Sequence, residues 1–178
     1  MTKETPTMKP KLYPRQLRCL VIYTILLALA SIFMHETAHI LTAIIKGVPF
    51  GELKLGFWGI NPSVTIPNWV SEDIKIAIFY SGGLATGVIL LLGYLLYWVH
   101  RYHTRPSILC WAMGLATIVF AGQQLIAGYI EGKYHSAYIL GASSLLSSTN
   151  LMIYVWMISM VFFHFAICPK VKMRKQGE

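Results

Sequence analysis

His35, Glu36 and His39 stand in the order His-Glu-x-x-His, inside a stretch whose other residues are almost all apolar or small. In a helix, positions four apart share a face, so the two imidazoles can aim at one ion while Glu36 sits beside them. Zinc held by three protein ligands keeps a place for water, lowers its pKa towards about 7, and leaves a carboxylate free to act as general base. Glu36 is the natural base. Two histidines and a glutamate in an apolar span are costly unless they face a polar interior, and such residues mark functional sites. The motif therefore predicts a Zn2+ site of hydrolytic type.

The helix carrying the motif has to stop soon after it. Gly47 follows Lys46 where a left-handed cap is favoured, and Pro49 comes two residues later. Beyond it, Leu53, Leu55 and Phe57 alternate with Glu52, Lys54 and Gly56, the Gly59-Ile60-Asn61-Pro62 cluster marks a turn, and Val64 to Ile66 can return. This pattern predicts a short hairpin at the membrane surface beside the metal, the other reading being an irregular amphipathic loop. An exposed edge at Val64, Thr65 and Ile66 would hold an unwound substrate strand by β-augmentation.

The frame around these elements is set by composition. The 178 residues are 56% hydrophobic and 12% charged, which suits a bilayer better than water. Four apolar stretches, approximately 17–46, 74–100, 106–130 and 150–167, approach the roughly 20 helical residues that cross a hydrocarbon core. The expected fold is an all-α integral membrane protein with about four transmembrane helices and a short membrane-associated β-hairpin between the first and second. Residues 17–168 form its polytopic domain, with a basic N-terminal segment at 1–16 and a basic tail at 169–178.

The net charge of +8 does not point to nucleic acid, because the basic residues cluster at the ends of apolar spans without interleaved aromatics. Lys3, Lys9, Lys11, Arg15 and Arg18 precede the first span, Arg101 and Arg105 part the second from the third, and Lys170, Lys172, Arg174 and Lys175 follow the fourth. The positive-inside rule places these regions, and so both termini, in the cytoplasm. Cys19, Cys110 and Cys168 then lie near cytoplasmic ends, where thiols stay reduced. Ala28-Leu29-Ala30 imitates a signal-peptide cleavage site, but the apolar run continues through Ile45, which favours an uncleaved anchor. His164 reads as an interfacial histidine of the last span, and His100 and His103 as solvated loop residues.

At this point the chain resembles the site-2 protease family of intramembrane zinc metalloproteases. The resemblance runs from His35-Glu36-Thr37-Ala38-His39 through Ala43 to Gly47, then through a strand-like segment to the small-residue motif Ser81-Gly82-Gly83-Leu84-Ala85-Thr86-Gly87. Gly83 and Gly87 form a G-x-x-x-G pair suited to close helix approach. The family's third helix carries an asparagine and, eight positions on, an aspartate-glycine pair whose aspartate is the third zinc ligand. Gln123 and Glu131-Gly132 have that spacing here, with glutamine and glutamate as the residue types. The resemblance thus implies Glu131 as third ligand and Gln123 as a polar group near the substrate. For Gln123 and Gln124 the other reading is amides bonded between helices. His135, four residues after Glu131, and Asp73, the chain's one aspartate, stay open as alternative ligands.

Depth sharpens the question. At 1.5 Å per residue, His35 and His39 rise about 26 to 31 Å above Arg18, and Glu131 about 37 Å above Pro106, a mismatch that tilt or unwinding near Gly128 can absorb. Charge bias puts the motif nearer the outer face, whereas the family's site opens towards the cytosol. The expected activity is hydrolysis of peptide bonds in transmembrane or membrane-associated polypeptides, with no nucleic-acid partner. The alternatives are a non-proteolytic zinc-binding membrane scaffold or inactive relative, and a small ion transporter.

Overall fold

The computed structural model describes residues 13–58, 61–134 and 148–169, and helices dominate it. The first, α1, runs Pro14–Ile45 and opens with proline at its first position, where no intrahelical N–H is needed. Gln16 Oε1 accepts the Tyr13 N–H at 3.0 Å. The helix ends as its glycine requires. Gly47 has φ 88°, its N–H bonds Ile44 O, and Val48 N–H bonds Ala43 O, which together form a Schellman cap. Val48 and Ala43 are both buried in the same cluster, the apolar contact that accompanies this cap.

The capped end delivers the chain through a 3-10 turn, Phe50–Glu52, into the antiparallel strands β1 (Lys54–Trp58) and β2 (Asn61–Thr65). Lys54 pairs with Thr65 and Trp58 with Asn61, so Asn61 and Pro62 belong to the returning strand and the turn is tighter than the Gly-Ile-Asn-Pro cluster suggested. Val64 and Ile66 pack on the cluster of Ala43, Val48, Leu53, Val70 and Ile78, which fixes the hairpin against α1 and α2.

Helix α2 (Glu72–Gly93) begins after Ser71 with Glu72 and Asp73 in its first turn, where carboxylates complement the helix dipole. It continues through a π-helical turn, Tyr94–Val99, into α3 (His100–Thr104), so His100 and His103 lie on helix rather than loop, and both are exposed. Ser107 then starts α4 (Ile108–Tyr134), its Oγ accepting the Cys110 N–H at 3.1 Å. Helix α5 (Ser148–Ile167) closes the described chain.

Three segments, Pro14–Ile45, Glu72–Thr104 and Ile108–Lys133, are long and apolar enough to span a membrane; the described apolar part of α5, Leu151–Ile167, is shorter. Contact between α2 and α4 is close because side chains are missing there. A β-carbon on Gly83 would strike the backbone of Gln124 and Gly128, and one on Gly128 the backbone of Gly83 and Leu84. The Gly83/Gly87 pair thus meets a glycine on the facing helix, with Gly87 receiving Leu125. Helix α1 lies alongside this pair, joined to α4 by a 2.6 Å hydrogen bond between Tyr23 and Thr117 hydroxyls.

Far from the hairpin, His164 is buried within the bundle. The Tyr94 hydroxyl shares a 2.9 Å hydrogen bond with its Nδ1, and the Trp111 ring packs beside it. Cys110 and Cys168 are buried thiols of the same end, and Tyr102 hydroxyl donates to the Pro169 carbonyl.

Candidate metal centre

Four residues of α1 are buried, Ser31, His35, His39 and Ala43, each four from the next. This stripe faces the bundle, so the fold turns the two motif histidines inward. Glu36, one residue round, is half-buried.

Each imidazole is held by its Nδ1. His39 Nδ1 lies 2.6 Å from the Ile78 carbonyl, an oxygen that only accepts, so Nδ1 carries the proton and Nε2 of the neutral ring presents a lone pair. His35 Nδ1 lies 2.8 Å from Gln124 Oε1, and donation to that oxygen leaves its Nε2 in the same state. Both Nε2 atoms converge on Glu131 Oε2, at 3.1 Å from His35 and 3.7 Å from His39. That oxygen is buried and has no hydrogen-bond partner among the described residues.

Two descriptions of the 3.1 Å approach compete. As an ion pair it requires a doubly protonated His35. With both Nδ1 atoms donating, two lone pairs face a carboxylate oxygen, and these repel unless a cation lies between them. The second description also explains why Oε2 is otherwise unpartnered.

Dimensions agree with a metal. Ligand atoms 2.0 to 2.2 Å from a tetrahedral zinc lie about 3.3 to 3.6 Å apart, and here the three ligand atoms all fall within 4.8 Å of one another. Gly82 supplies the room: a β-carbon there would sit 2.8 Å from His35 Nε2 and closer still to His39 Nε2. His35, His39 and Glu131 are therefore close enough to bind one metal ion, with carbonyl and amide oxygens orienting both histidines.

Glu131 reaches the histidines without unwinding of α4, which is helical through Gly128. The flanks used to count depth are not level. Tyr23 and Thr117 are bonded across an offset of 94 residues, and at that offset Glu131 stands opposite residue 37, midway between the histidines.

The other expected site residues fall as follows. Asp73 is exposed in the first turn of α2 and is outside the metal-binding group. His135 lies outside the described residues. Gln124, not Gln123, bonds a histidine; Gln123 is exposed. Thr65 is exposed on β2, and with Ile66 it lines a groove completed by Glu52, Lys54 and Trp69, where the Trp69 indole donates to Glu52 Oε2 at 2.6 Å. Sequence reasoning missed Gly82 and Ile78, whereas the reading of Gln124 as an amide bonded between helices agrees with its bond to His35 on α1. Gln124 had a signal, since it and Glu131 are seven apart and share a helix face. The Ile78 carbonyl had none, because a main-chain acceptor is independent of residue type.

No protein-family model, curated protein or solved structure matches this chain. The class of site is thus defined by its own geometry, a two-histidine, one-carboxylate constellation between apolar helices.

Proposed function

We propose that the chain is a membrane-embedded zinc metalloprotease of the site-2 protease type, acting on transmembrane or membrane-associated polypeptides. One observation carries the reading: the His-Glu-x-x-His imidazoles meet, between apolar helices, a carboxylate oxygen from α4 that has no other partner among the described residues. Zinc bound there supplies a Lewis acid for the scissile carbonyl and lowers the pKa of water to about 7.

The chain's own residues do the rest. His35, His39 and Glu131 hold the ion, and Gly82 keeps its place clear. Glu36 takes a proton from the attacking water as oxygen bonds to the carbonyl carbon, then passes it to the departing amide nitrogen as the C–N bond breaks. A substrate helix must first unwind, and its extended backbone pairs with a free edge of the hairpin. Val64 and Ile66 anchor that hairpin to the cluster containing Ile78, whose carbonyl fixes His39. In this reading α1, α2 with α3, α4 and α5 cross the bilayer, both termini are cytoplasmic, and the hairpin lies at the outer surface.

Glu36→Gln tests the reaction. Zinc content should equal that of wild type, while cleavage of a membrane-anchored reporter should fall by about 10²-fold or more. Undiminished cleavage would remove Glu36 from the mechanism, and zinc transport unaffected by the change would favour a transporter. Sidedness has its own test: an impermeant amine reagent applied to intact cells should label Lys54 and spare the N-terminal lysines, and the reverse pattern would invert the topology.

A further inference from the structure

We propose that Gln124 is a positioning residue for the metal centre, holding His35 in the tautomer that binds zinc; this rests on the zinc reading above. Three observations support it. Gln124 is buried on α4, and its Oε1 lies 2.8 Å from His35 Nδ1. Glu131 lies seven residues further along the same helix, two turns away on the same face, and its Oε2 meets the other nitrogen of the same ring at 3.1 Å. One imidazole is thereby gripped at both nitrogens by one helix, Nδ1 by the amide and Nε2 by the carboxylate's site.

The amide does what no neighbouring apolar residue can. A neutral histidine has two tautomers, and only the one protonated at Nδ1 leaves Nε2 free to ligate. For His39 the choice is made by the Ile78 main chain, which no side-chain substitution removes. For His35 it depends on a single side-chain oxygen.

The full-length protein is tested in lipid nanodiscs, with zinc affinity measured by competition against a chromophoric chelator. Gln124→Met removes the acceptor at similar volume and should weaken zinc binding about 10- to 100-fold. Gln124→Glu restores an acceptor oxygen and should bind within about threefold of wild type or more tightly. A methionine variant equal to wild type, or a glutamate variant as weak as the methionine one, overturns the role of Gln124 while leaving the zinc site standing. Failure of wild type to bind zinc overturns both.

Discussion

His39 and His35 are oriented by different kinds of acceptor, a main-chain carbonyl and a side-chain amide, and the difference separates what can be mutated from what cannot. Two further residues make the centre sensitive to single atoms. Gly82→Ala adds one methyl where the ligand nitrogens converge. Alanine favours helix by about 1 kcal/mol over glycine, so the variant should keep its helical content while losing zinc, read by circular dichroism and metal analysis on one sample. Full zinc occupancy would show that the imidazoles can retreat. Glu131→Asp keeps the carboxylate but shortens its reach, and zinc affinity should drop at least about tenfold, on the scale seen when metal-site support is lost. An aspartate variant as tight as wild type would mean that the α1–α4 spacing adjusts freely. That His35 and His39 converge was legible in the sequence because two imidazoles four apart share a helix face. Gly82 was visible only as a packing residue, since a vacancy has no side chain to announce it.

At the scale of elements, the end of α1 was the most legible feature. Gly47 takes the left-handed conformation its position called for, and Val48 closes the cap. Gly47→Ala should cost about 1 kcal/mol, the usual penalty for an L-residue in that region, seen as a lower unfolding midpoint in denaturant titration. An unchanged midpoint would imply that the loop relaxes to another cap. The hairpin was legible from alternation, although its turn was read too wide because Asn61 and Pro62 resemble turn residues yet pair with Trp58 and Phe57. The level of Glu131 was not legible. Counting from charged flanks treated them as coplanar, whereas the Tyr23–Thr117 bond sets the true offset between α1 and α4. The partner of His164 was not legible either, since its place near the end of a span says nothing of the Tyr94 hydroxyl that a π-helical turn brings against it.

Across the whole molecule, α1 is the least enclosed of the three segments long and apolar enough to span a membrane. Only 6% of its most apolar stretch is buried, against 33% and 39% for the other two long apolar segments. Among the described residues its polar attachments to α4 are the Tyr23–Thr117 bond and the His35–Gln124–Glu131 cluster. A metal in that cluster would tie α1 to the α2–α4 pair, since ligation free energy adds to folding free energy when the ligands come from separate elements. Chelation should therefore speed amide exchange in α1 around residues 31–43 more than in α4 around 118–126. Equal acceleration in both helices, or none, would argue against a stapling role.

The two attachments of α1 to α4 also act as a gauge of chain length. Tyr23 and His35 are twelve residues apart, about 18 Å of helix. Deleting one residue between them turns everything beyond it by about 100° about the axis, so either the tyrosine or the histidine must leave its partner. Residues 24–30 should accordingly accept many exchanges of one apolar side chain for another. The number of residues between the two rungs should be as constrained as the ligands themselves.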